Sequence, residues 1–310
     1  MHINKRLTGF FGKLTNSRYS TLFTVLGLYV ALSFLTRIIF LAWSAKDAEF
    51  NLIYLLRIFF TGFVFDISTG LSFLSFYAVY LLLFPKKWIG SLADKVFTYC
   101  YLSIILLIIF FSLMAEFPFW DEFGVRFNFI AVDYLIYTYE VVSNINQSYP
   151  LPLIIAILVA SVTGTFMLLR KTGVLRNTFS DKRSIRIRSL YALPALLTAF
   201  LLLVLMKNKQ ADFSNNLVVN ELGKNGVFSF FAAFRSNELD YDTFYPKLNE
   251  KEAYTILKKT LLQGNQHYNS QQWNDISRIT KGENEIRPNI IMIAIESFSA
   301  DFLKAFGNKD

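Results

Sequence analysis

Apolar residues fall in long uninterrupted blocks up to about residue 206, and short charged connections separate the blocks. The blocks are Thr21 to Trp43, Phe59 to Phe84, Phe97 to Met114, Leu151 to Leu169 and Leu190 to Met206. Each approaches or exceeds the ~20 apolar residues that carry a helix across a bilayer. Many polar residues precede the first block and no small-residue cleavage site follows it, so it reads as a retained span and not as a signal peptide. The pattern therefore predicts an α-helical polytopic membrane domain of five transmembrane helices over residues 1–206 (spans 21–43, 59–84, 97–114, 151–169 and 190–206). Residues 207–286 read as a linker with amphipathic helices. Residues 287–310 read as the start of an α/β domain.

Composition sharpens this picture. Of 310 residues, 54% are hydrophobic and 17% aromatic, above the ~45–50% apolar content of a soluble domain. The net charge of +8 would suit nucleic acid, but the basic residues sit between apolar blocks, the pattern of membrane orientation signals, so no nucleic-acid partner is expected. Lys5, Arg6, Lys13 and Arg18 precede the first block. Lys86, Lys87 and Lys95 lie between the second and third. Arg170, Lys171, Arg176, Lys182, Arg183, Arg186 and Arg188 lie between the fourth and fifth. The alternate connections balance base with acid. This asymmetry predicts a cytoplasmic N-terminus and an extracytoplasmic C-terminal part. The lone cysteine, Cys100, excludes an intrachain disulfide and a zinc cluster of cysteines.

Two charges interrupt the spans, Arg37 in the first and Asp66 in the second. A charge at the bilayer centre costs ~2.5–3.5 kcal/mol on insertion scales. Arg37 lies about six residues before the outer end of its span and Asp66 about eight after the outer start of the next, so at ~1.5 Å per residue their depths differ by only a few ångströms. They are expected to pair. The alternative is that Arg37 snorkels to the head groups while Asp66 meets water or backbone.

The connection 115–150 contains Arg126-Phe-Asn-Phe-Ile-Ala-Val-Asp-Tyr-Leu-Ile-Tyr-Thr-Tyr-Glu140, aromatics interspersed with charges. Such a segment suits the headgroup layer, either as a resting interfacial helix or as the wall of a headgroup site with Arg126 on phosphate. After the fifth block, Phe228, Phe230, Phe231 and Phe234 imply a helix that lies on the membrane surface or packs on a soluble domain. Asn237 to Pro246 reads as turns, Glu252 to Leu262 as a short amphipathic helix, and 263–286 as loop.

The last stretch carries the candidate chemistry. Ile290 to Ile295 is short, apolar and rich in β-branched residues, and Pro288 marks its start, so it suits a buried parallel strand. Glu296 follows at the strand's carboxyl end, where open α/β sheets bind ligands, and a carboxylate there suits a hard divalent cation or a capping role. Ser297 or Ser299 is placed to cap a helix near Ala300, and no histidine-based dyad makes either a nucleophile. His2 and His267 lie before this motif.

Asn289-Ile-Ile-Met-Ile-Ala-Ile-Glu-Ser-Phe-Ser299 resembles the opening strand of the sulfatase and alkaline-phosphatase superfamily. With the preceding spans, and with Arg126 to Leu135 and Asn237-Glu-Leu-Asp-Tyr-Asp242, the chain resembles the lipoteichoic acid synthase family of membrane phosphoglycerol transferases. The resemblance implies that Glu296 ligates a catalytic divalent metal, usually manganese. It also implies a threonine nucleophile and further Asp and His ligands at positions beyond Asp310, so this chain holds no catalytic nucleophile and only the first part of a sulfatase-like domain. The implied reaction is attack on the phosphodiester of phosphatidylglycerol, release of diacylglycerol, and passage of glycerophosphate to a glycolipid or glycan acceptor. The implied location is a bacterial cell (inner) membrane, with membrane phospholipid as partner. Two alternatives stay open: a membrane sulfatase or phosphodiesterase, and a catalytically inactive, truncated lipid-binding protein.

Overall fold

The computed structural model describes residues 16–46, 50–136, 138–235, 248–282, 289–296 and 303–306. Lys5, Arg6, Lys13, the segment Asn237–Pro246, Pro288, Ser297, Ser299 and Ala300 lie outside the described residues. The chain divides into two units, residues 1–238 and 239–310.

The first unit is helical. Five helices are long and apolar enough to cross a membrane: α1 (Ser20–Trp43), α2 (Leu52–Leu83), α3 (Leu92–Phe123), α6 (Leu151–Lys171) and α8 (Ile185–Leu205). Short helices join them at the two ends: α4 (Phe129–Ile136) and α5 (Thr138–Ser148) after α3, and α7 (Val174–Ser180) after α6. After α8 come α9 (Leu217–Leu222) and α10 (Gly226–Arg235). Three of the five long helices (α1, α6 and α8) stay close to their apolar blocks, and α2 starts about two turns before its block. The largest departure is α3, which runs on to Phe123 through Pro118. The apolar block ends where the lipid-facing stripe ends, but the helix continues because Glu116, Phe119 and Trp120 find buried partners. Residues 115–123 are thus helix and not interfacial loop.

Sequence explains the helix starts. Asn51 accepts the Tyr54 N–H at 2.7 Å and Ser91 accepts the Asp94 N–H at 3.4 Å, so each caps a first-turn donor. The core follows α1, α2 and α3: Leu22, Val25, Tyr29, Leu74, Tyr77, Leu81, Leu102 and Leu106 are buried together. Lipid tails are as apolar as these side chains, so close packing and interhelical hydrogen bonds hold such a core, and water exclusion does not. The lipid-facing sides of α6 and α8 stay exposed, as Leu153, Ile157, Leu197 and Leu201 show. Phe228 of α10 packs on Phe65 of α2 with ring centroids 4.8 Å apart, and Phe230 lies 6.4 Å from Phe127, whereas Phe231 and Phe234 are exposed. The linker helix therefore packs on the membrane bundle by one face.

The second unit contains α11 (Glu250–Leu261), capped by Asn249 on the Lys251 N–H at 3.1 Å, and a hairpin of β1 (Gln266–Tyr268) and β2 (Arg278–Thr280). The strands pair antiparallel, Gln266 with Thr280 and Tyr268 with Arg278. Residues 263–286 are therefore not all loop. Ile290 to Ile295 departs from expectation. It forms no strand among the described residues and is exposed, with Met292 88% accessible. A strand is completed by neighbouring N–H and C=O groups, and β1 and β2 offer theirs only to each other. The sulfatase-like sheet is absent from the described residues.

Candidate functional site

The densest polar chemistry lies at the end of the bundle where α1 finishes, α2 begins and α9 and α10 dock. Arg37 and Asp66 meet there as a bidentate pair, Nη1 to Oδ2 at 2.8 Å and Nη2 to Oδ1 at 3.0 Å, with side chains 0% and 1% exposed. The pairing expected from depth alone is present. Arg37 does more than neutralise Asp66. Its Nε donates to the Leu222 carbonyl at 2.9 Å and its Nη2 to the Lys224 carbonyl at 3.3 Å. The first is the last carbonyl of α9, left without an intrahelical donor, and the second lies in the turn that follows. One guanidinium therefore joins α1, α2 and the post-span segment. Gly62 makes room for it, since a Cβ there would fall inside the guanidinium.

Asn225 completes the connection. Its amide nitrogen donates to Asp66 Oδ1 at 2.8 Å and to the Tyr29 hydroxyl at 2.9 Å. Its amide oxygen accepts the Phe228 N–H at 3.0 Å, capping α10. Every group is buried, where an unmade hydrogen bond costs ~1–3 kcal/mol, so the set is held as a unit.

Beside it, Arg126 pairs with Glu116 in the interior. The Arg126 N–H also donates to Glu221 Oε2 at 2.9 Å, and Lys224 Nζ reaches Glu221 Oε1 at 2.7 Å. The Arg126 guanidinium lies 4.8 Å from the Phe40 ring centre and 5.9 Å from that of Trp120. The Arg126 charge is thus committed to Glu116, and the residue is only 3% exposed, which turns it away from a surface phosphate. Gly226 permits the arrangement, because a Cβ at that position would strike the Glu116 carboxylate.

The opposite end carries a second network. Arg18 forms a bidentate pair with Asp94, at 3.1 and 3.0 Å, and donates to the Thr178 carbonyl at 3.2 Å. Asp94 also accepts the Tyr80 hydroxyl and the Gly90 N–H, each at 2.8 Å. Arg188 donates to the Leu81 and Phe84 carbonyls at 3.1 and 2.7 Å, tying α8 to the end of α2. Arg18 and Arg188, read in sequence as orientation charges, are therefore buried structural residues as well.

Glu296 stands apart. It is exposed and sits in a turn. Among the described residues no three His, Cys, Asp or Glu side chains group as a metal centre. A hard divalent cation takes about six oxygen ligands, so Glu296 by itself does not build the site, and no chemical step is routed through a metal. His267 lies in β1 facing Ile279 across the hairpin, away from any such group.

Asn225, Glu221 and Tyr29 were not legible as site residues. The one sequence signal was a run of polar residues, Glu221-Leu-Gly-Lys-Asn225, wedged between apolar segments directly after a span. No protein-family model, no curated protein and no solved structure matches this chain.

Proposed function

We propose that this chain is the membrane anchor and juxtamembrane linker of a phosphoglycerol transferase of the lipoteichoic acid synthase type, acting on phosphatidylglycerol-like donors. The observation that carries the reading is the buried Arg37–Asp66–Asn225 connection. It fastens the residues after the last long apolar helix to the bundle, upstream of the Asn289–Ser299 stretch that resembles the superfamily's first strand. A catalytic domain joined through such a fastened linker works at high effective concentration of lipid head groups. The acidic Glu296 beyond an apolar run is the residue that the resemblance assigns to the reaction centre, with a divalent metal as cofactor and a glycolipid or glycan as acceptor.

The test is turnover by the protein expressed from its own gene, reconstituted with fluorescent phosphatidylglycerol. Diacylglycerol release that Glu296→Ala abolishes, with helicity unchanged, is the expected result. Cleavage of an aryl sulfate without diacylglycerol release would replace the transferase with a hydrolase. A second reading, a lipid-binding membrane protein without catalysis, draws on the exposed, unpaired state of Ile290–Ile295. It predicts no turnover of either substrate.

A further inference from the structure

We infer that the cleft between α2, α8 and α10 is a phospholipid site, which takes one acyl chain between the helices and an anionic headgroup phosphate on Arg235. The cleft measures about 310 Å³ and is walled by Phe73 of α2, Leu203 of α8, and Val227, Phe228 and Phe231 of α10. That volume lies at the lower end of the ~300–1,000 Å³ range of ligand pockets. Its hydroxyls ask nothing of an occupant. Thr69 donates to the Phe65 carbonyl at 2.9 Å and Ser72 to the Ser68 carbonyl at 2.7 Å, so the lining presents carbon and satisfied oxygen.

Two observations commit the occupant to a lipid with a negative head. Leu203 lies near the end of a helix long and apolar enough to cross a membrane, and its side chain is exposed, so the cleft opens beside lipid near the boundary with water. Arg235, in the last turn of α10, belongs to the lining and is exposed, and among the described residues it has no acidic partner. The nearby cations Arg37 and Arg126 are already neutralised by Asp66 and Glu116. Among the described residues of the lining, Arg235 is the one that carries a charge, and its guanidinium suits a phosphate as a forked donor.

The inference deepens the proposed donor class but is read by binding, not turnover. A protein that retains lipid without transferase activity would leave it standing while the transferase reading fell. The full chain would be placed in nanodiscs of phosphatidylcholine and phosphatidylglycerol in equal amounts, then released into detergent for native mass spectrometry. One retained phosphatidylglycerol is expected, preferred over phosphatidylcholine. Arg235→Gln should cut that preference about fivefold, the worth of roughly one cation near a lipid surface. Leu203→Trp, on the lipid-exposed rim, should displace both lipids. A photoreactive phosphatidylglycerol should crosslink to residues 227–231 in the unaltered protein, so the idea does not depend on the variants folding. Equal retention of the two lipids, or crosslinks confined to other helices, would overturn it.

Discussion

The Asn225 side chain donates to the Asp66 carboxylate at 2.8 Å across 159 positions of sequence. That single bond links a charge buried in a membrane-type helix to the residue that caps α10 in the linker. Asp66 consequently has partners on two sides, Arg37 of α1 and Asn225 beyond α8. Substitutions at the pair therefore report on the seating of the linker as well as on the pairing of helices.

Removing one member of this pair should be severe. Arg37→Met leaves Asp66 buried without its cation and leaves the Leu222 and Lys224 carbonyls without donors. A loss of ~3–5 kcal/mol is expected for breaking a buried pair, seen as a lowered Tm or lost folded yield in detergent. Exchanging the residues, Arg37→Asp with Asp66→Arg, should recover only part of that loss. The exchange restores the charges but puts no donor opposite the Leu222 and Lys224 carbonyls. Complete recovery would mean that those carbonyl bonds contribute nothing.

Glycine substitutions should divide sharply by position. Gly226→Ala pushes a methyl into the Glu116 carboxylate and Gly62→Ala pushes one into the Arg37 guanidinium. Both should destabilise by ~1–3 kcal/mol, the range for overpacked interiors. Gly27→Ala and Gly164→Ala meet nothing within 4 Å and sit inside α1 and α6. Those two should be neutral or gain up to ~1 kcal/mol of helix propensity. Thermal unfolding of the four variants in one detergent checks the ranking.

The helices were legible because lipid imposes one demand, an apolar run of sufficient length, and the sequence writes that demand locally. The Arg37–Asp66 pair was legible for a related reason: two lone charges at matched depth in consecutive antiparallel spans have few other partners. Of the two readings of the Arg126 segment, the headgroup one needs a free guanidinium, whereas α3 continues through Glu116 and brings that carboxylate to Arg126, a contact with no local signal in the sequence. Asn225 was invisible because its roles depend on how α10 seats against α2, a long-range fact with no local periodicity. The β1–β2 hairpin escaped because three-residue strands carry too little alternation to register. Ile290–Ile295 shows the converse: a strand-like pattern states a preference, and only a neighbouring strand realises it.

Orientation rests on the basic connections and can be measured directly. With Cys100 changed to serine, the single cysteines Lys182→Cys and Gln210→Cys sit in connections at opposite ends of α8. A membrane-impermeant maleimide added to intact spheroplasts should label Gln210→Cys and spare Lys182→Cys. Inverted vesicles should give the reverse. Labelling of Lys182→Cys from outside would invert the assignment and remove the basis for an outer-leaflet substrate.

Asp275 offers a pH test within the second unit. The hydroxyl of Ser270, at 2.6 Å, and the Ser277 N–H, at 2.9 Å, both donate to its carboxylate and hold its pKa down to about 2, from an ordinary 3.8. A folded-state pKa below the unfolded value means that the ionised form favours the folded turn. The contribution is complete above the unfolded value near 3.8 and fades as pH falls through about 2. The turn between β1 and β2 should therefore keep its form from neutral pH down to about pH 4 and loosen below it. Carboxyl-detected NMR titration of Asp275 should give a midpoint near 2, and Ser270→Ala should move that midpoint upward by removing the strongest donor. A midpoint unchanged by Ser270→Ala would show that the hydroxyl does not hold the carboxylate.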